Sequence, residues 1–211
     1  MEILSLTPGW AVICKEAGEL SEPAGREEES VLSALIGAAP GEAYPVHRLD
    51  RGTAGVMVIA RTKKAAARLS EAARGGLLVK EYEAIVHGIP SPAAGEMRDF
   101  LRFFSGAGIT RAVPAGTAGA KEAILRYEVK EVRGDLSRVK ITLLTGRTHQ
   151  IRAQFASRGF PLLGDRKYGA KDRGSHPALL SRVLSFPGED GTLLRFEAPR
   201  GLSFPDPAPG S

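Results

Sequence analysis

The sequence predicts an α+β domain, with a mainly antiparallel or mixed central sheet and flanking helices and loops. Strand-like segments come in adjacent pairs, KEAILRYEVKEVRG with LSRVKITLLTG being the clearest, and only two or three helical segments interrupt them. Val56 to Ala60 is also continuously apolar, as expected of a strand covered on both faces. The 211 residues suffice for one large domain, and a hydrophobic share of 43% supplies its core. Residues 1–203 are read as a single domain and 204–211, ending in PDPAPGS, as a disordered tail.

The elements follow in order. WAVIC, Trp10 to Cys14, reads as a short buried strand, beginning so early that no N-terminal accessory domain is expected. AGELSEPAGREEE is polar and loop-like. Ser30 caps a short helix, VLSALIG, whose Val31, Leu32, Leu35 and Ile36 share one face, with Gly37 and Pro40-Gly41 ending it. After the 56–60 strand, Thr62 precedes the alanine-rich helix KKAAARLSEAAR, stopped by Gly75 and Gly76. In LLVKEYEAIVHG, Lys80, Tyr82, Ala84 and Val86 fall on one face of a strand and Glu81, Glu83 and Ile85 on the other. Residues 89–119 are rich in Gly, Pro and Ala and show no clear period; Arg98, Arg102 and Arg111 lie there beside Phe100, Phe103 and Phe104. Two strands then meet at the turn Arg133-Gly134-Asp135. RTHQIRAQFASRG reads as a helix with Ile151 and Phe155 on its buried face and Gly159 as its stop, and LLRFEAP as a last strand.

Composition narrows the function classes. Lys and Arg number 29 against 24 acidic residues, a net charge of +5 that suits a polyanionic partner without demanding one. The one cysteine, Cys14, lies in an apolar run, which reads as a buried thiol in a protein of the reducing cytosol. MEILSLTPGW has neither the basic nor the long apolar region of a signal peptide. No stretch approaches the roughly 20 apolar residues of a membrane helix. A cytoplasmic monomer without membrane attachment is expected.

Two clusters carry chemistry-bearing side chains where a strand meets an irregular segment: His47-Arg48-Leu49-Asp50, and Gly146-Arg147-Thr148-His149-Gln150-Ile151-Arg152. No HxH, HExxH or paired-carboxylate spacing surrounds Asp50, and its neighbours are cationic, so metal binding is not expected. A nearby cation favours the ionised form of a carboxylate, which suits a nucleophile or base rather than a general acid. Arg152, one turn into its helix beside His149, is a candidate partner. The residues alone leave two readings open: a structural strand-to-helix ion pair, and a reactive acid.

HRLDRGTAG followed by an apolar strand, then Lys80-Glu81-Tyr82-Glu83-Ala84-Ile85-Val86-His87-Gly88, then LLTGRTHQIRAQFASRGFPLLGDRKYG, together resemble the RluA-type pseudouridine synthases. The family pattern runs roughly HRLDxxTSG, KxYxAxVxG, and TGRxHQxRxH with GxPxxGDxxYG, and the match extends from about Trp10 to Pro199. The resemblance implies the pseudouridine synthase catalytic fold with its site in a basic cleft, and isomerisation of uridine in structured ribosomal or transfer RNA with no cofactor. It makes Asp50 the nucleophile, Tyr82 the residue stacking on the flipped base and assisting proton removal at C5, and Arg152 the partner of the acid. Arg48 would take the flipped nucleotide's place or hold RNA. His47, Lys80, Arg147, His149 and Gln150 would contact substrate, the two histidines orienting the site through hydrogen bonds.

The chain departs from the pattern at Lys15-Glu16-Ala17-Gly18 (Lys-Pro-x-Gly is usual), Ala54 (serine), Gln154 (histidine) and Leu180-Ser181-Arg182 (Leu-His-Ala). None is expected to touch Asp50, Tyr82 or Arg152. Asp165 and Tyr168 are expected to fix a turn, Tyr127 to pack, and His87 and His176 to lie outside the chemistry. Two other functions stand beside the synthase: a non-catalytic RNA-binding or ribosome-assembly factor on the same fold, and a glycoside-type hydrolase, which would want a second carboxylate near Asp50.

Overall fold

The computed structural model of the protein describes residues 1–23, 25 and 29–205; the expected tail lies outside the described residues from 206 onward. Eleven strands form one sheet: β1 (Glu2–Leu6), β2 (Trp10–Lys15), β3 (Tyr44–Pro45), β4 (Ala54–Ala60), β5 (Val79–His87), β6 (Ala94–Phe104), β7 (Ile109–Val113), β8 (Lys121–Arg133), β9 (Leu136–Leu143), β10 (Leu179–Pro187) and β11 (Leu193–Glu197). Helices α1 (Val31–Ala38), α2 (Lys63–Arg74) and α3 (Gln150–Ala156) complete the fold. The strand order is β1-β2-β4-β10-β5-β9-β8-β6-β7, with β3 added to β4 and β11 to β10. Every pairing is antiparallel except that of β10 with β4, so the sheet is mixed.

Alternation along the central strands makes two cores. Ala11, Ile13, Met57, Ile59, Tyr82, Ala84 and Val86 face α1 and α3, packing on Leu35, Ile151 and Phe155. Trp10, Val12, Cys14, Val56, Val58 and Ala60 face the other way, onto Ala65 and Leu69 of α2 and Phe186 of β10. Burial on both sides explains the unbroken apolar run of β4. It also seals the Cys14 thiol and pushes its pKa up.

Both expected helix caps are present: the Ser30 side chain accepts from the Ser33 amide, and Thr62 from the Ala65 amide. In α1, however, Ile36 stands 43% exposed, so the buried stripe is Val31 and Leu35 with Leu32 at its side. The helix runs through Gly37 to Ala38.

Five of the described strands escaped the sequence reading. Segment 89–119 is mostly a hairpin, β6–β7, turning at Ser105–Gly108. β1 and β3 are peripheral, but β10 is central: it lies between β4 and β5, pairing with β5 along one edge. Its other edge meets β4 at Leu180–Ser181 and β11 at Val183–Pro187. Gly55 lies at this crossing, with φ of 114° and no room for a β-carbon, which would come 2.2 Å from the Ser181 carbonyl.

Candidate active site

The two sequence clusters converge. Arg48, Asp50, Lys80, Tyr82, Arg147 and Arg152 all line one cleft of about 330 Å3, over the ends of β4, β5 and β9 beside α3. Among the described residues Asp50 is the one carboxylate in its lining. The Asp50 loop is held from behind by the turn after β2. The buried Lys15 ammonium donates to the carbonyls of Glu16 (2.9 Å), Glu19 (2.8 Å) and Arg51 (3.1 Å). Burial pushes its pKa down to about 8, against the opposing charge of Glu19 and Asp50. Ser21 donates to the Leu49 carbonyl at 2.8 Å and accepts from the Leu49 amide at 3.1 Å. Glu16, where the family usually has proline, donates its own amide to Glu19 Oε2 at 2.7 Å, a bond proline cannot make. The backbone around Asp50 is thus fixed, while its carboxylate accepts no hydrogen bond from the described residues.

Arg152 Nη1 lies 3.6 Å from Asp50 Oδ2, and His149 Nε2 lies 3.7 Å from the same oxygen. The expected pairing exists, but Asp50 is not the main partner of Arg152. That is Asp165, buried and bidentate, at 2.7 Å from Nε and 2.8 Å from Nη2. The guanidinium also lies 4.7 Å from the centre of the Tyr168 ring. Burial opposes the charge on Arg152, and Asp165 with Asp50 outweighs it, holding the pKa above its ordinary value.

Asp165 and Tyr168 therefore do more than fix a turn. The Tyr168 oxygen accepts from the Thr110 amide at 2.8 Å and meets His149 Nδ1 at 2.9 Å. If the Tyr168 hydroxyl donates to Nδ1, the neutral ring carries its proton on Nε2, the nitrogen nearer Asp50. Burial pushes the His149 pKa down, opposed by Asp50 and reinforced by Arg152 and Lys167. His149 has φ of 52°, an uncommon left-handed conformation for a residue with a β-carbon, at the start of α3. The loop carrying Asp165 depends on Gly164, whose φ is 80° and whose β-carbon would come 2.1 Å from the His176 carbonyl. Asp172 fastens the same loop, accepting from the amides of Gly164 (3.0 Å) and Gly174 (2.9 Å) and meeting His87 at 2.8 Å.

Tyr82 is 6% exposed, and burial, with Asp50 adding, pushes its phenol above the ordinary range; Ser181, opposite it in the sheet, works against the rise. So one departure from the family pattern, Ser181, does face Tyr82, contrary to expectation. Gln154, another departure, is buried and donates to Asp99 Oδ2 at 2.7 Å, tying α3 to β6.

The remaining sequence candidates divide. Burial pushes the Lys80 ammonium down, and no carboxylate pairs with it among the described residues. His47 accepts from the Val58 amide at 3.2 Å, while its enclosed Nδ1 has no partner among the described residues. Burial and Lys80 push its pKa down to about 3, so it is neutral at physiological pH. Arg48 is exposed, 3.8 Å from Glu22. Arg147 donates from Nε to the Glu122 carbonyl at 2.8 Å. Gln150 is a brace: its oxygen accepts from Thr145 (2.8 Å) and the Arg147 amide (2.9 Å), and its nitrogen donates to the Ile124 carbonyl at 3.1 Å.

Residues 9–157 match the model of a family described as RNA pseudouridylate synthase. The chain belongs to that family. Similar proteins include the ribosomal large subunit pseudouridine synthase D of Vibrio cholerae, 35% identical over 199 residues and covering 88% of this chain and 60% of the relative. The protein of the same name from Yersinia pestis is 35% identical over 204 residues, 90% of this chain and 61% of its own. This synthase-family chain thus spans about three fifths of the length of those relatives. Among solved structures, human RNA pseudouridylate synthase domain containing 1 superposes with a TM-score of 0.79 at 23% identity, over 94% of this chain and 83% of the other. Human RNA pseudouridylate synthase domain containing 4 gives 0.76 at 24% identity, over 94% and 89%. Both show the same fold. Among the described residues no helix is long and apolar enough to cross a membrane.

Proposed function

We propose that this protein isomerises a specific uridine to pseudouridine in structured RNA, ribosomal or transfer RNA, with Asp50 as nucleophile. In this reading residues 1–203 work as one catalytic domain, a cytoplasmic monomer. The reaction replaces the N1–C1′ bond of uridine with a C5–C1′ bond; N1 gains a proton and C5 loses one, so atoms and electrons balance without a cofactor. The target nucleotide must leave its stack to reach the cleft, and Arg48, exposed at the rim, is suited to take its place. Asp50 forms a covalent adduct with the nucleoside and leaves again as carboxylate once the base has turned. Arg152, 3.6 Å away, sets a positive charge beside the carboxylate that attacks and later leaves. Tyr82, kept neutral by burial, supplies an apolar plate and an O–H rather than a phenolate base. A buried wall there excludes water while the base is detached.

The observation that carries this reading is Asp50 Oδ2 at 3.6 Å from a guanidinium, in a cleft shared with Tyr82 and lined, among the described residues, by no second carboxylate. A glycoside hydrolase would need that second acid. The test maps pseudouridine in cellular RNA from cells lacking the protein, complemented with wild type or Asp50→Asn. Wild type should restore at least one site and the variant none, although the variant still binds RNA. Full restoration by the variant overturns the mechanism; RNA binding by wild type with no pseudouridine anywhere favours an assembly factor instead.

A further inference from the structure

A second groove of about 290 Å3 adjoins the cleft, sharing its Gly146–Thr148 wall and lined by Leu101, Phe103, Thr110 and Lys121. Alternation on β6 sends Met97, Leu101 and Phe103 to the face covered by α3. Met97 and Leu101 are buried there, but Phe103 is 46% exposed. Its ring is not loose. It meets the His149 imidazole edge-on, 6.2 Å between centres. Its cross-strand neighbour Thr110 donates from its hydroxyl to the Thr148 carbonyl at 2.8 Å and from its amide to Tyr168. An exposed phenyl ring is thereby fixed beside the histidine that faces Asp50.

Two cations flank it, Lys121 and Arg147, and neither is paired with a carboxylate among the described residues. Arg147 is tethered through Nε to the Glu122 carbonyl, which leaves the rest of its guanidinium for a ligand. An aromatic plate with adjacent unpaired cations is the chemistry that receives an unstacked base and its phosphate. A protein partner would want a wider apolar patch, and continuity with a nucleotide-sized cleft favours the next residue of the same strand.

We infer that this groove holds the nucleotide adjoining the target uridine, its base against Phe103 and its phosphate between Lys121 and Arg147. The inference rests on the synthase reading for its substrate, but its test is separate. The probe is an RNA hairpin with a seven-uridine loop, its loop positions made abasic one at a time, with binding read by fluorescence anisotropy. At one loop position, loss of the base should weaken wild type about ten-fold and Phe103→Ala about two-fold or less. Phe103→Trp should keep the wild-type pattern, which separates stacking from a folding defect. Lys121→Gln should lower the slope of log Kd against log salt by about one. Equal abasic losses in wild type and Phe103→Ala at every position overturn the inference, even where wild type makes pseudouridine. A coupled loss at one position in a protein that makes none leaves the groove standing and sinks the synthase reading alone.

Discussion

On one wall of the cleft, Asp50 sits in a loop with its carboxylate 28% exposed and no hydrogen bond from the described residues. On the other, Arg152 is 9% exposed, gripped by two short bonds from an acid that is 1% exposed, and stacked on Tyr168. Under the proposed mechanism the difference separates two tasks. A group that must form and break a bond needs access and an unengaged oxygen, so only its backbone is fixed. A group that must supply a steady charge needs none, and a buried bidentate partner keeps it from collapsing onto Asp50. Asp165 thus holds Arg152 at 3.6 Å from Asp50, near enough to act and too far to neutralise.

Breaking the exposed wall should have the largest effect on activity. Asp50→Asn should abolish isomerisation with little change in the thermal midpoint, since its carboxylate anchors nothing. The rigid wall should respond in the opposite way. Asp165→Asn leaves a buried guanidinium uncompensated and should cost about 3 kcal/mol in urea unfolding. It also frees Arg152 to swing onto Asp50, so kcat should fall as well; a variant of wild-type stability would show that the pair does not hold the wall.

Asp172 tests the fastening of the same loop. Two amides and His87 outweigh the cost of burial and hold its pKa down, at about 2. A depressed acid contributes stability above its unfolded pKa of about 4 and loses it as pH falls through 2. Asp172→Asn should therefore lower stability by about 2 kcal/mol at pH 7, with the gap from wild type narrowing steadily below pH 4. A gap independent of pH would assign the effect to packing instead. The smallest effect belongs to Tyr168→Phe, which removes the bond to the His149 imidazole and the one from the Thr110 amide and costs about 1.5 kcal/mol. Because the imidazole bond favours neutral His149, its loss should raise the His149 pKa in an NMR titration. An unmoved pKa would mean that Tyr168 serves Thr110 and Arg152 alone.

Local pattern revealed the parts of this molecule that local pattern builds. The capped helices, the alternating faces of β5, the hairpin of β8 and β9, and the doubly buried β4 were all legible. β10 was not, because a central strand buried on both faces has no alternation, and Arg182 interrupts LLSRVLSFP. β6 was hidden because α3 covers only part of its face, so Met97 and Leu101 are buried while Asp99 and Phe103 are not. At the site, the motifs brought Asp50, Tyr82 and Arg152 to attention, and all three line the cleft. The bonds of Asp165 to Arg152 and Tyr168 to His149 join residues on opposite sides of the α3 turn, and no spacing rule announces such contacts.

β10 separates the strand that follows Asp50 from the strand that carries Tyr82, two strand spacings or about 10 Å. Of the described residues lining the cleft, Leu179 alone lies beyond Arg152 in the chain. A polypeptide halted at residue 178 would own nearly every reactive group and still lack the ruler that sets them apart. The gap between the acid and the phenol is therefore set by a strand that comes later in the sequence than either of them.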